Sequence, residues 1–331
     1  MTDEFAFIRS IIPKTTYQQS LIQGIGDDAA LFLNDERYET VVAVDTLVEG
    51  VHFKKSTLSS FDLGYKALAV NLSDLAAMGA LPLYYLVSIA IPRTRWSEIE
   101  LNDLFKGMNE LAKTFQVDLI GGDTVSTSSA LVVSVTAIGK VERNRHLLRS
   151  QARPGDFIFV TGSVGGSSAG LSLLLEKSKD YPYCEQEMLL IEQHQRPKPQ
   201  IYAGRIFAEL NCRVALNDIS DGIASEAYEI AEASKKKLVL DYEKVPKHPA
   251  LQLFSRYEIE QFVLYGGEDF QLIGCLSQSN WDHVKTMFEE ANIPITLIGH
   301  VEAGEADVQI MKNGVMEKVD KRGYNHFKEN K

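Results

Sequence analysis

The chain has 331 residues, and at roughly 100–200 residues per domain this length favours two domains. Hydrophobic residues make up 45% and charged residues 24%, as in ordinary globular proteins, which argues against a disordered or fibrous chain. The formal net charge of −11 argues against a protein that binds nucleic acid through a basic surface. A polyanionic ligand would need a local reversal of charge, or metal ions between it and the protein.

The cysteines and the hydropathy pattern indicate in which cellular compartment the protein is expected. Cys184, Cys212 and Cys275 are widely spaced and form no CxxC pair, so the sequence predicts neither a zinc cage nor a disulfide framework. A reducing, cytoplasmic location fits this pattern. The segment 1–8 carries acids where a signal peptide needs bases, and no apolar run approaches the ~18 residues of a membrane span. We therefore expect no membrane association.

Short β-branched or aromatic runs predict strands, and apolar residues at helical spacing predict helices. The predicted elements in chain order are strand Thr40–Val44, helix Asp62–Met78, strand Leu83–Ile91, helix Ser97–Phe115, strands Leu131–Ile138 and Phe157–Val160, helices Gln200–Leu210 and Ser225–Lys237, strands Leu238–Leu240 and Phe270–Leu276, helix Asn280–Asn292 and strand Thr296–Ile298. Ser97 and Glu100 form the capping-box pattern of a helix start. Because strands and helices mix without strict alternation, we predict the α+β class.

A basic stretch that ends in Pro and Gly, residues 142–156, shows no hydrophobic period and marks the clearest boundary. We therefore predict an N-terminal domain over residues 1–145 and a C-terminal domain over residues 146–331.

Several aspartates end or interrupt segments that otherwise look buried. They are Asp27, Asp28, Asp45, Asp74, Asp123, Asp218 and Asp221. Each alone is also explained as a helix cap, an Asx turn or the partner of a lysine. If they converge, however, two carboxylates ~4 Å apart repel by about 4 kcal/mol at an effective dielectric of 20, so the cluster would need cations. Oxygen donors suit Mg²⁺ and suit zinc poorly, and Asn71 shares a helix face with Asp74.

Two Gly-rich turns are candidate phosphate sites. The first, residues 161–170, connects a predicted strand to an apolar segment, so its backbone N–H groups could hold an anion, although a flexible linker explains it equally well. It contains no GxxxxGK[ST], so it is not a P-loop. The second is the Gly266-Gly267 pair, followed by Glu268 and Asp269.

Other motifs are weaker. Gly24-x-Gly26-x-x-Ala29 matches the loose dinucleotide fingerprint, but no convincing strand precedes it, and the adjacent acids would repel a pyrophosphate. No GxSxG occurs, and the histidines and serines suggest no nucleophile. His52 is a ligand contact or an exposed loop histidine. Arg149 is a phosphate contact or part of a solvated basic linker.

Taken together, the motifs resemble those of the thiamine-monophosphate kinase family, in that family's order and over nearly the whole chain. The matching segments are Gly26–Ala30, Val44–Phe53, Lys66–Ala80, Ile120–Thr124, Arg153–Asp156, Asp218–Gly222, Gly266–Asp269 and Gly323-Tyr324. The wider superfamily includes aminoimidazole ribonucleotide synthetase, selenophosphate synthetase and a hydrogenase maturation factor. The amino-acid sequences of the first two segments favour the thiamine branch of this superfamily.

This resemblance implies an N-terminal α+β domain that forms a homodimer through its sheet, a C-terminal α+β domain, and ATP with several Mg²⁺ ions in the cleft between them. It implies Mg²⁺ ligands at Asp28, Asp45, Asp74, Asp123, Asp218 and Asp221, with Asp27 as an additional candidate. It implies ATP contacts at Gly122, Asp123, Arg149 and Ser220. It implies thiamine-phosphate contacts at His52, Glu268 and Tyr324. One departure is visible: the family often has hydroxyl residues where this chain has Ala43 and Val44, which leaves the number of ions open.

The implied reaction is direct transfer of a phosphoryl group from ATP to thiamine monophosphate. The acceptor is a phosphate monoester with a second pKa near 6, so it is already ionised at neutral pH and needs no covalent nucleophile from the protein. Two alternatives stay open at this stage: another ATP-dependent synthetase or maturation enzyme of the superfamily, and a non-catalytic module that binds Mg²⁺-ATP.

Overall fold

The structure is a computed structural model that describes residues 11–23, 31–32, 34–210 and 212–321. The chain forms two compact units. The first unit comprises Met1–Leu75, Ala80–Asn144 and Leu174–Tyr181, and the second comprises Ala76–Gly79, Arg145–Leu173 and Pro182–Lys331. In the described part of the chain, no helix is both long enough and apolar enough to cross a membrane.

The first unit contains a four-stranded sheet, a two-stranded sheet and two long helices. Its elements in chain order are β1 (Leu21–Gln23), β2 (Leu31–Phe32), β3 (Tyr38–Val48), α1 (Ser60–Ala77), β4 (Leu81–Pro92), α2 (Glu98–Phe115), β5 (Asp118–Thr127) and β6 (Val132–Glu142). The larger sheet has the order β3-β6-β4-β5, in which β4 and β5 are parallel and the other pairs antiparallel. The edge strands are therefore β3 and β5.

Helix α2 begins as the sequence predicts. The Ser97 hydroxyl accepts from the Glu100 N–H and the Glu100 carboxylate accepts from the Ser97 N–H, so the predicted capping box is confirmed. Helices α1 and α2 approach closely at glycines, because a Cβ on Gly64 would lie only 1.8 Å from the carbonyl oxygen of Leu104. This close packing fixes α1, the helix that carries Asp74.

The four-stranded sheet has one covered and one open face. Every second residue of β6, including Val133 and Val135, is buried on the face that packs against α1. On the opposite face of β3, Val42 and Val44 are 61% and 62% exposed. The prediction that the strand ends at Val44 in a buried segment was wrong: β3 continues to Val48, because the residues beyond Asp45 keep their pairing with β6.

The second unit is built on a seven-stranded sheet. Its elements in chain order are β7 (Asp156–Thr161), α3 (Gly166–Lys177), α4 (Glu185–Gln195), α5 (Ile201–Glu209), β8 (Val214–Asp218), α6 (Ile223–Ser234), β9 (Lys237–Asp241), α7 (Arg256–Tyr265), β10 (Leu272–Ser277), α8 (Gln278–Glu290), β11 (Ile295–Glu302), β12 (Asp307–Lys312) and β13 (Val315–Lys318). The strand order is β13-β12-β9-β11-β7-β10-β8, and only the β12–β9 pair of this sheet is parallel.

Aromatic stacking and an ion pair with a buried carboxylate stabilise this second unit. The Phe207 ring lies between those of Phe159 and Phe288, with centroid distances of 4.7 and 5.0 Å. Asp156, at the start of β7, accepts two hydrogen bonds from the Arg213 guanidinium, at 2.6 and 2.7 Å. Arg213 directly precedes β8, the strand that ends at Asp218, so the ion pair joins the start of that strand to β7.

Candidate active site

Asp45 and Asp74 lie together in the first unit. Asp45 is on the face of β3 that packs against α1, and Asp74 is on that helix; both side chains are half-buried. Burial raises the pKa of the Asp45 carboxyl, whereas its hydrogen bond with Asp74 acts in the opposite direction. Two carboxyl groups that hydrogen-bond share a proton, or else require a cation between them. The prediction that α1 presents Asp74 inside an apolar helix is confirmed.

Asn71 and His52 complete the surroundings of Asp45. The Asn71 side-chain oxygen accepts from the Asp45 N–H at 3.0 Å, while its amide donates to the carbonyl of Ala67. Asn71 therefore positions the backbone at Asp45 instead of presenting a second oxygen to a ligand. His52 Nδ1 accepts from the Val48 N–H at 3.0 Å, so the proton of the neutral ring is on Nε2.

Asp123 is not close to this pair. It lies on β5, the edge strand opposite β3, and its side chain is exposed. Three strand spacings of about 4.8 Å each place β5 roughly 14 Å from β3. Neighbouring Gly122 has a structural role of its own, because a Cβ there would lie 2.0 Å from the carbonyl oxygen of Val87.

A second group of acidic residues lies where β8 ends. Asp218 is buried as the last residue of that strand, and Ser220 and Asp221 follow in the turn before α6. Glu226 on α6 is 2% exposed, and its Oε1 accepts from the Asp221 N–H at 3.0 Å and from the Ser220 hydroxyl at 3.3 Å. Burial first, and then the charges of Glu229 and Asp218, raise the pKa of Glu226 to about 9.

Arg149 contacts this same group. It lies in a short 3₁₀ helix, Arg149–Gln151, and its Nε donates to the Asn217 side-chain oxygen at 2.8 Å. Its Nη1 is 2.9 Å from Glu229 Oε2. The arginine is thus held in place beside the end of β8 and half of its side chain is exposed, as a ligand contact requires.

The Gly-rich turn 161–170 already binds an anion, namely a side chain of this protein. The buried carboxylate of Asp269 accepts from the N–H groups of Gly165 and Ser167, at 2.7 and 3.1 Å, at the start of α3. These donors would otherwise be the phosphate ligands of such a turn. The interpretation of 161–170 as a phosphate site is therefore wrong, and the turn is a helix N-terminus closed by Asp269.

Glu268 precedes Asp269 in a strained turn. Its φ is 68° and that of Phe270 is 49°, a left-handed conformation that non-glycine residues rarely adopt. The Glu268 N–H donates to the carbonyl of Ser220 at 2.7 Å, and its Oε2 lies 3.2 Å from Nδ1 of buried His194. These contacts hold the turn and place Glu268 next to the residues that follow β8.

Both acidic groups suit Mg²⁺ better than zinc, because their ligands are carboxylate oxygens. Burial raises the pKa of Asp45, and burial together with neighbouring carboxylates raises that of Glu226. A cation would relieve that charge. Among residues 11–23, 31–32, 34–210 and 212–321, no three acidic, histidine or cysteine side chains converge tightly enough to form a metal site by themselves. The predicted ligands Asp27 and Asp28, the dinucleotide-like Gly24–Ala29 segment and Tyr324 lie outside the described residues.

Sequence reasoning missed Asn217, Glu226, Glu229 and His194. Asn217 carried a signal, because it is a second polar residue at the end of the apolar segment Val214–Asp218. Glu226 and Glu229 are three residues apart and so share one face of α6. The same spacing is common on exposed helix faces, so it does not identify a buried site. Nothing in the sequence distinguishes the buried His194 from an exposed helical histidine.

Comparison with known families now places the chain. Residues 26–141 match the family model of the AIR synthase related protein N-terminal domain, and residues 153–311 match that of its C-terminal domain. The chain is thus a two-domain protein of the AIR synthase related class, and its predicted α+β fold is confirmed.

Relatives define the family more narrowly. The chain is 46% identical over 328 residues to thiamine-monophosphate kinase of Bacillus subtilis (98% of this chain, 100% of that protein). It resembles the crystal structure of thiamine-monophosphate kinase from Stenotrophomonas maltophilia K279a, with a TM-score of 0.83 and 33% identity, covering 92% of this chain and 94% of that one. A solved structure of AaThiL complexed with AMPPCP and TMP gives a TM-score of 0.78 and 32% identity, covering 92% of each chain. The chain belongs to the thiamine-monophosphate kinase family.

The buried Asp269 makes a pH-dependent contribution to stability. Burial raises the pKa of this carboxyl to about 7, although backbone N–H groups oppose the change. The folded protein therefore holds the proton more tightly than the unfolded chain, whose carboxyl titrates near the ordinary 3.8. The resulting stabilisation is complete below about pH 4 and is lost as the pH rises through 7. We expect the free energy of unfolding of wild type, relative to Asp269→Asn, to fall between pH 5 and 7 and to level off above pH 8.

Urea denaturation of both proteins at each pH measures this difference. Asp241→Asn is the control, because the hydrogen bond from Lys244 lowers the pKa of Asp241 and its stabilisation changes only at acidic pH. The prediction would be contradicted if the difference in free energy of unfolding between wild type and Asp269→Asn stays constant from pH 5 to 8.

Proposed function

We propose that this protein phosphorylates thiamine monophosphate, with ATP as the phosphoryl donor, to give thiamine diphosphate and ADP. The observation that carries this proposal is the 46% identity to a thiamine-monophosphate kinase over almost the whole length of both chains. The likeness to a structure complexed with AMPPCP and TMP supports the same pair of substrates. The two acidic groups described above supply the charge that such a reaction requires of the protein.

We assign the binding residues as follows. ATP contacts Gly122, Asp123, Arg149 and Ser220, and the thiamine phosphate contacts His52, Glu268 and Tyr324. The Mg²⁺ ligands are Asp27, Asp28, Asp45, Asp74, Asp123, Asp218 and Asp221. The positions of Asp45 beside Asp74 and of Asp218 beside Asp221 support the metal assignments, because each pair concentrates carboxylates. The exposed half of the Arg149 side chain supports its contact with a phosphate.

Bound Mg²⁺ would neutralise the phosphate charges of ATP and of the acceptor, which otherwise repel both each other and a chain of net charge −11. The protein itself orients the substrates. Arg149 donates to phosphate oxygens with a geometry that Asn217 and Glu229 fix. The acceptor oxygen is ionised near neutral pH, so no side chain has to remove a proton, and we propose direct in-line transfer without a phosphoenzyme.

We further propose a cytoplasmic homodimer. The open face of the β3-β6-β4-β5 sheet supports the dimer, because Val42 and Val44 are exposed there beside Ile138 and Thr136 of β6. An apolar sheet face of this kind is stabilised when a second copy covers it. Cys184, Cys212 and Cys275 are all free thiols, which supports a reducing compartment.

The activity is tested directly with purified protein, Mg²⁺-ATP and thiamine monophosphate. We expect stoichiometric formation of thiamine diphosphate and ADP, separated and measured by chromatography. Thiamine and other phosphorylated acceptors, tested in parallel, distinguish this activity from that of another ATP-dependent enzyme of the class. Consumption of ATP only with a different acceptor, or binding of ATP without turnover, would refute the proposed function.

Asp74→Asn tests the metal assignment. Asparagine keeps a hydrogen bond to Asp45 but removes one negative charge, so Mg²⁺ binding weakens while the like-charge interaction between α1 and β3 is relieved. We expect kcat to fall by about 100-fold or more while the melting temperature stays the same or rises. Asp103→Asn, at an exposed α2 residue paired with Lys106, is the control and should retain activity. An unchanged kcat in Asp74→Asn would remove Asp74 from the ligand set.

Val44→Glu tests the dimer interface. A charge on the open face cannot be buried against a second copy without a large desolvation penalty, so we expect monomers by sedimentation velocity. Val315→Glu, which replaces a similarly exposed valine of β13 in the second unit, should leave the association state unchanged. Dimers in the Val44→Glu protein would show that the contact lies elsewhere.

A further inference from the structure

Glu226 is at the centre of a hydrogen-bond network in the second unit. Its side chain is 2% exposed, and that of Asn217, its neighbour on β8, is 1% exposed. Glu226 Oε1 accepts from the Asp221 N–H and the Ser220 hydroxyl, and Oε2 accepts from the Asn217 amide nitrogen. One carboxylate therefore holds both the turn after β8 and a side chain near the end of that strand.

Arg149 determines the orientation of the Asn217 amide. A guanidinium group can only donate, so the Asn217 oxygen must face Arg149 Nε, which lies 2.8 Å away. The amide nitrogen then points at Glu226 and at Glu229 Oε2, 3.1 Å away, and Glu229 in turn pairs with Arg149 Nη1. The four side chains form a network in which each donor faces a matching acceptor.

We propose that Glu226 is a positioning residue for ATP. It fixes the Arg149 side chain through Asn217 and fixes the backbone that carries Ser220 and Asp221. This inference rests on the proposed function, because the roles of Arg149, Ser220 and Asp221 toward Mg²⁺-ATP come from there. Glu226 itself touches neither substrate; it acts by presenting acceptors of the correct polarity to the residues that do.

The main chain at Arg149 is held separately from this network. Its carbonyl accepts from the Ser234 hydroxyl at 2.7 Å, and the Ala152 N–H donates to the same hydroxyl at 3.0 Å. A change at Glu226 therefore disturbs the orientation of the arginine side chain and not the path of the chain. If Glu226 served stability alone, its replacement would not affect the Arg149 side chain selectively.

Glu226→Gln reverses the polarity of one bond. The glutamine oxygen keeps the contacts with Ser220 and Asp221, but its NH₂ group faces the NH₂ group of Asn217. If Asn217 rotates its amide to accept, it presents a donor to Arg149 Nε instead, so one hydrogen bond of the network is lost in either orientation. We expect the KM for ATP to rise about five- to tenfold, with less than about a twofold change in the KM for thiamine monophosphate.

The double variant Glu226→Gln with Arg149→Ala tests whether Glu226 acts through the arginine. Because the introduced glutamine keeps the contacts with Ser220 and Asp221, its effect on ATP passes through Arg149 and disappears once that side chain is removed. We expect the KM for ATP of the double variant to equal that of Arg149→Ala within about twofold. Glu232→Gln is the matched control, because Glu232 lies on the same helix but is exposed and paired with Lys321.

Binding of the non-hydrolysable analogue AMPPCP with Mg²⁺, measured by calorimetry, separates this inference from the proposed function because it needs no turnover. If wild type fails to phosphorylate thiamine monophosphate, the function is refuted. The inference is still supported if the analogue binds more weakly to Glu226→Gln than to wild type, and equally to Arg149→Ala and to the double variant. Unchanged analogue binding in Glu226→Gln, equal increases in both KM values, or additive losses in the double variant would overturn it.

Discussion

A carboxylate kept from water needs a partner, and the buried acidic residues of this protein differ in whether that partner is a donor group or another carboxyl group. Asp156 accepts two hydrogen bonds from Arg213, and Asp269 accepts from the N–H groups at the start of α3. Both are matched by donors of the second unit itself. The Arg213 guanidinium matches the charge of Asp156, whereas the N–H groups only partly offset the burial of Asp269, whose pKa rises to about 7.

Asp45 and Glu226 are matched differently. Asp45 hydrogen-bonds another carboxyl group, that of Asp74. Glu226 lies among further carboxylates, and burial followed by their charges raises its pKa to about 9. An arrangement in which carboxylates face each other costs folding free energy, unless a cation offsets the repulsion. Part of the net charge of −11 is therefore concentrated in these groups of acidic residues. Negative charge placed in this way repels bare polyphosphate and attracts polyphosphate that carries Mg²⁺.

The sequence predicted the elements whose patterns are local. The Ser97 capping box and the apolar face of α2 depend on residues three or four apart, and both were correct. Strands β5 and β8 were missed because glycines and polar residues interrupt them, at Gly121-Gly122 and at Asn217. Their pairing is decided by neighbouring strands far along the chain. The pattern of the sequence supplied the candidate aspartates and the family resemblance implied their role as Mg²⁺ ligands, but only the structure shows that Asp45 lies inside a strand and Asp123 on the opposite edge of the sheet.

Long-range partners also explain the misread Gly-rich turn. Residues 161–170 have the composition of an anion site, and they do bind an anion, but Asp269 comes from 104 residues away. The same strained turn carries Glu268, whose N–H donates to the Ser220 carbonyl. A residue assigned to the thiamine phosphate and one assigned to ATP are therefore joined by a main-chain hydrogen bond. Gly267 permits this approach, since a Cβ there would lie 2.4 Å from the same carbonyl oxygen. The left-handed backbone at Glu268 accompanies this main-chain hydrogen bond, and no change confined to the side chains of Glu268 and Ser220 removes the connection.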